Sequence, residues 1–191
     1  MMRLVSIAGI SGFIITQLGC TQLTIPEQAP AVAADTPAPS SSPAGLEKIT
    51  NPTVRKNIAS VRAATAHYHQ LQTALEAGYV QVTGFIPEMG IHYQKLSLVG
   101  DGKMELEKPE ALVYIPQPHT GKYKLVAVEY MVLKTGETPP ANTITGDAEQ
   151  WHVLPAEPGV HPAFWTLHAW VWQQNPAGMF HDTNPRIGLT P

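Results

Sequence analysis

The 191-residue chain contains one cysteine, Cys20, so its folded body has no intramolecular disulfide and no cysteine redox chemistry. Hydrophobic burial alone must offset the entropy of ordering it. Basic charge is also short: 12 Lys and Arg stand against 15 Asp and Glu, a formal net charge of −3 that falls to −4 once Arg3 is removed with a leader. That balance argues against nucleic acid, which requires a basic face, and against electrostatic adhesion to anionic lipid. The apolar run at residues 4–15 falls short of the roughly 20 residues that a membrane-crossing helix needs. Gly-x-Ser-x-Gly elbows, Gly-rich phosphate loops, a His-Glu-x-x-His helix and paired Cys-x-x-Cys motifs are all missing, as are internal repeats.

What is present begins with Arg3, the apolar run 4–15 and the triplet Leu18, Gly19, Cys20. This start resembles the signal of bacterial lipoproteins. The resemblance implies that the Cys20 thiol is diacylated, that residues 1–19 are removed, and that the body is exported and lipid-anchored to a bacterial cell membrane, facing the periplasm or exterior. The alternative is an ordinary cleaved signal peptide with an incidental cysteine. Residues 21–44 are mostly Pro, Ala, Ser, Thr and Gln, with only Glu27 and Asp35 charged and with Pro26, Pro30, Pro37, Pro39 and Pro43 favouring extended chain. Residues 20–50 therefore read as a lipid-attachment cysteine and a disordered tether, and 51–191 as one globular domain.

Asn51 and Pro52 form a helix start, a capping side chain followed by a proline at the first helical position. Val54, Ile58, Val61, Ala64, Tyr68, Leu71 and Leu75 continue it as one apolar stripe, and Gly78 ends it in left-handed conformation. Beyond Gly78, runs rich in Val, Ile, Leu, Tyr and Trp at 79–83, 91–99, 110–115, 123–133, 151–154 and 165–172 read as antiparallel strands, with turns at Asp101-Gly102 and 118–121. The expected fold class is α+β: one N-terminal helix packed on a curved antiparallel sheet or partial barrel.

Glu129 interrupts a strand that is apolar on both faces, where a carboxylate must be paired, protonated or bound to a metal. Few basic residues are available and none adjoins the strand centre; an ion pair at a sheet edge is the competing account. Alternation places Glu129 with Leu125, Ala127, Met131 and Leu133, and His168 with Thr166, Trp170 and Trp172. His92 opens a strand just after a Gly-containing turn. His92, Glu129 and His168 make the composition of a two-histidine, one-carboxylate site for a divalent metal ion, which leaves coordination positions open for water or substrate. His152 is a candidate fourth ligand and Glu88 a candidate outer acid. His67 and His69 point to different sides of the helix, His119 and His161 read as turn and loop, and His181 has no assigned role. The segment with Asn175-Pro176 and Asn184-Pro185 reads as a latch wrapping back over the sheet, with Phe180 as a plug.

Met89 and Gly90 with His92, the 109–114 run, Val128 to Tyr130, the 167–172 run, 175–180 and Asn184-Pro185 together resemble a group of secreted bacterial proteins of unknown function. The resemblance spans most of 63–185 and implies an exported domain, without an activity. Three functions follow from the residues themselves: a metal-binding domain that activates water or oxygen; a small-ligand module in which Trp151, Trp165, Trp170 and Trp172 line the pocket; or a structural envelope lipoprotein.

Lipidation is testable directly. Cys20→Ser is expected to move the protein from the membrane fraction to the soluble one, because acyl burial contributes about 0.8 kcal/mol per CH₂ and the tether carries no other apolar anchor. Unchanged membrane partition in cell fractionation contradicts the anchor.

Overall fold

The computed structural model describes residues 49–146 and 150–188. The expected signal, lipid-attachment Cys20 and nearly all of the tether fall on residues 1–48, outside the described residues. Asn51 caps α1 (Pro52–Thr65): its side-chain oxygen accepts from Thr53 N at 2.9 Å and Val54 N at 3.4 Å, and Pro52 occupies the first turn. Val54, Ile58, Val61 and Thr65 form its buried face.

The single helix expected to Gly78 is broken. A 3₁₀ turn, Ala66–His69, separates α1 from α2 (Leu71–Glu76), and none of its residues is buried. Two side chains from far along the chain bond to this region, and one of them takes a carbonyl that a continuous helix would use. Tyr114 Oη donates to Tyr68 O at 2.7 Å, and Trp172 Nε1 donates to Thr65 Oγ1 at 3.2 Å. Gly78 does close α2 in left-handed conformation, at φ 92°; Tyr79 N bonds Ala74 O and Gly78 N bonds Leu75 O, each at 3.0 Å.

Six antiparallel strands follow in one sheet, in the spatial order β1-β2-β3-β4-β6-β5. They are β1 (Val80–Gln81), β2 (Ile91–Gln94), β3 (Ala111–Gln117), β4 (Lys122–Leu133), β5 (His152–Leu154) and β6 (Phe164–Ala169). The sheet is open, with β1 and β5 at its edges. Four strands, β1, β2, β5 and β6, are shorter than their sequence signal. At β2 the chain turns after Gln94, where Leu98 N bonds back to Lys95 O at 2.9 Å. At β6 it turns after Ala169, where Val171 N bonds Ala169 O at 2.8 Å.

The two faces of the sheet differ in chemistry. One packs Ile91, Tyr93, Leu112, Tyr114, Leu125, Val128, Tyr130, Val132, Leu167 and Ala169 against the apolar stripe of α1. The other carries a smaller cluster of Val113, Val126, Ala127, Trp170 and Ile187. A bulge in β4 explains why Leu125 is on the first face rather than beside Ala127 and Glu129. Pairing steps from Val113↔Ala127 to Tyr114↔Leu125 and skips Val126. The extra residue restarts the alternation and adds local twist.

Glu110 lies at the edge of the helix-facing core, only 2 % exposed, and its Oε2 accepts from Met131 N at 3.1 Å. Pairing between β3 and β4 ends at Ala111↔Glu129, so the carboxyl supplies the acceptor that the ladder no longer provides for Met131. Burial raises its pKa from 4.5 to about 8, against the lowering effect of that hydrogen bond. With a raised folded value, its contribution to stability is complete below about 4.5 and is lost as pH rises through about 8. Glu110→Gln keeps an acceptor and removes the ionisation. Urea denaturation is expected to show the variant gaining on the parent by on the order of 2–4 kcal/mol between about pH 5 and about pH 9. An equal difference at both pH values contradicts burial of the protonated acid.

Candidate metal centre

Three polar side chains occupy the face of the sheet turned away from α1. Ile91 and Tyr93 flank His92, Val128 and Tyr130 flank Glu129, and Leu167 and Ala169 flank His168; all six flanking residues belong to the helix-side core. Alternation therefore turns His92, Glu129 and His168 to the opposite face. Glu129 and His168 are direct cross-strand partners, while His92 pairs with Val113 on the far side of β3. Ala111 opposite Glu129 and Ala127 opposite Val113 are small, which leaves space for the longer side chains above them.

His92 on β2 and His168 on β6 are three strand positions apart, about 14 Å in a flat sheet at about 4.8 Å per strand. Their Nε2 atoms nevertheless lie 3.2 Å apart, so the sheet curls toward this face. Glu129 Oε2 lies 3.8 Å from His92 Nε2, and one ligand atom from each of the three residues falls within 4.8 Å of the others. The pocket is dry: His92 is 5 % exposed, Glu129 6 % and His168 0 %. Trp170 stacks on His168 at 5.6 Å with an interplanar angle of 13°.

Each histidine is held through its outward nitrogen. His168 Nδ1 lies 3.2 Å from Asp182 Oδ1. Thr83 Oγ1 accepts from His92 N at 2.9 Å and lies 3.3 Å from His92 Nδ1. Both Nε2 atoms are thereby aimed inward. Burial lowers the His92 pKa and outweighs the opposing pull of Glu129. For His168 burial also lowers, but Glu129 and Asp182 together raise the pKa above its ordinary value. The two imidazoles are thus shifted in opposite directions by the same pocket.

The side chains beside Glu129 in this site are two imidazoles, His92 with its Nε2 at 3.8 Å and the cross-strand partner His168, rather than a lysine or arginine. His152 on β5 pairs with Thr166, outside the three-residue group, and its ring lies 6.5 Å from that of His181. Glu88 sits in the turn before β2 at φ 61°, and its carbonyl accepts from Asn184 N at 2.8 Å. Trp172 is not on the His168 face. The turn after Ala169 resets the alternation, so Trp172 lies against α1, 5.9 Å from the Arg62 guanidinium and bonded to Thr65.

Of the four tryptophans expected to line one pocket, Trp151, Trp165 and Trp172 belong to or pack against the helix-side core, and Trp170 lies in the cluster on the other face. Trp151 Nε1 bonds Pro140 O, and Trp165 carries Lys134 over its ring. Phe180 is half-buried and borders an open pocket of about 380 Å³ with Gln150, His152, Met179 and His181. His67 and His69 are exposed, His69 edge-on to Trp172; His119 is an exposed turn residue, and His161 bonds the neighbouring Pro162 carbonyl.

Asp182 and Thr83 were not legible as site residues. Asp182 is far along the chain from His92 and Glu129, and no spacing connects it to His168; the only available signal was that a buried ligand histidine needs an outer partner. No known protein family, curated protein or solved structure matches the chain.

The turn before His92 depends on Gly90, at φ 96°, where an added Cβ would lie 2.8 Å from Tyr114 O and 3.0 Å from Val113 Cγ1. Gly90→Ala combines backbone strain with a clash against a strand carbonyl. It is expected to lower stability by about 1–3 kcal/mol and the melting temperature by roughly 3–10 °C. An unchanged melting curve contradicts the close approach.

Proposed function

We propose that the protein is a metal-binding domain whose ion is held by His92, Glu129 and His168, exported and lipid-anchored to a bacterial membrane through Cys20. The observation that carries the metal assignment is the pair of inward-facing Nε2 atoms 3.2 Å apart, each imidazole held from behind through Nδ1. That separation suits two nitrogens sharing one ion at about 2.1 Å with an angle of about 100°, between octahedral and tetrahedral values. Such a short approach between two imidazoles needs a proton or a metal ion between them, and an ion would take the place of the proton.

Two histidines and one carboxylate suit zinc or ferrous iron, and such a set leaves coordination positions for water or substrate. When bound, an ion of this kind acts as a Lewis acid and lowers the pKa of coordinated water. Glu129 would supply the anionic ligand and offset part of the ion's charge in the dry pocket. Thr83 and Asp182 would hold the imidazole planes, and Trp170 would keep one side of His168 from water.

Protein purified without a polyhistidine tag, stripped with chelator and titrated with Zn²⁺ or with Fe²⁺ under anaerobic conditions is expected to take up one equivalent. Its thermal midpoint should rise with ion concentration, by about 2.7 kcal/mol of stability at 100 times Kd, and fall again with EDTA. Glu129→Gln should weaken retention by at least about 10-fold, the lower end of what even outer-shell losses cost. Absence of stoichiometric uptake, or uptake indifferent to Glu129→Gln and His92→Ala, overturns the assignment.

A further inference from the structure

We propose that Asp182 is a positioning residue for the metal site, and that the segment after β6 acts as a fixed strap coupling the two ligand histidines. This rests on the metal assignment above. Asp182 is not part of the sheet and is not among the three residues whose ligand atoms converge. It touches the site through His168 Nδ1, at 3.2 Å. A carboxylate there keeps the proton on Nδ1, leaves the Nε2 lone pair facing the ion, and raises the donor strength of the imidazole. The His168 bond in turn holds the Asp182 pKa below the ordinary carboxylate value.

The backbone on both sides of Asp182 is anchored. Before it, Trp170 N donates to Met179 O at 2.9 Å and Trp170 Nε1 to His181 O at 2.7 Å. After it, Thr183 O accepts from Asn175 Nδ2 at 2.9 Å, and Asn184 Nδ2 donates to Gln174 O at 3.3 Å. Ile187 then packs with Val113, Val126, Ala127 and Trp170 on the site face of the sheet. The Asp182 carboxylate is thus aimed by fixed points on either side of it, although its own side chain is 35 % exposed. His152 and His181 also contribute to lowering its pKa.

The same strap reaches the other histidine. Asn184 N donates to Glu88 O at 2.8 Å, in the turn where Ile86 bridges Gly90 and which leads directly into His92. One segment therefore bonds the turn that aims His92 and carries the acid that orients His168. Docking of the strap and closure of the metal site are one event in this arrangement, and Asp182 is the link that can be removed without touching a ligand.

The test uses Co²⁺ as probe ion, read by its visible absorption and by competition with a chelator, on the parent chain, Asp182→Asn and Asp182→Ala. Asp182→Ala is expected to bind Co²⁺ about 10–100-fold more weakly, with a shifted absorption band. Asp182→Asn keeps an acceptor oxygen without the charge and should fall between. The metal-free melting temperatures of all three should agree within a few degrees, which separates positioning from a folding defect; should Asp182→Ala fail to fold, Asp182→Asn decides. Co²⁺ affinity and spectrum in the variants matching the parent within about threefold overturn the positioning role and leave the metal assignment standing. A parent chain that binds no Co²⁺ overturns both.

Discussion

A carboxylate and two imidazoles share a dry space on one face of an otherwise apolar sheet, and the charge in that space has to be balanced locally. Glu129 is 6 % exposed, with His92 Nε2 at 3.8 Å and His168 as its cross-strand partner. An isolated buried charge of this kind is so unfavourable that it would be neutralised or would unfold the strand. The features around the site serve this constraint. The curl of the sheet brings histidines from β2 and β6 within reach of each other, alanines at 111 and 127 leave room above the strands, and Asp182 and Thr83 occupy the outward nitrogens.

The sheet divides labour between its faces. Toward α1 the polar atoms of the large side chains reach backbone carbonyls: Tyr79, Tyr114 and Tyr130 hydroxyls donate to Pro109, Tyr68 and Leu106. Those three hydroxyls are satisfied within the protein. The opposite face leaves two imidazole nitrogens aimed at one another, and the strap after β6 closes over it. The asymmetry arises where the β4 bulge restarts the alternation at Val126. Without that extra residue, Leu125 would lie in the same row as Glu129.

Much of this could be read along the chain. Asn51 and Pro52 announced α1, and Gly78 announced the end of α2, because capping is a local matter of which backbone groups lack partners. Glu129 stood out because a charge within an apolar strand is anomalous wherever that strand sits. His92 and His168 could be named as partners by residue type. The break at Ala66–His69 could not be read, since the Tyr68 carbonyl there is taken by the hydroxyl of Tyr114, a residue distant along the chain. Nor could the placement of Trp172, because the tight turn at Trp170 resets a period that sequence alone would extend.

The sequence by itself determined the α+β composition, the ends of the helical segments, the strand candidates and the identity of the polar residues that an apolar sheet must accommodate. These follow from local rules: backbone capping, a period of two or of 3.6, and the unfavourable burial of charge. Only the tertiary structure decided that His92, Glu129 and His168 meet, that Asp182 rather than Glu88 or His152 stands behind His168, and that Trp170 and Trp172 fall on different sides of the sheet. Those outcomes depend on strand order, sheet curvature and one bulge. They are set by the packing of residues distant along the chain, and no spacing within a single segment encodes them.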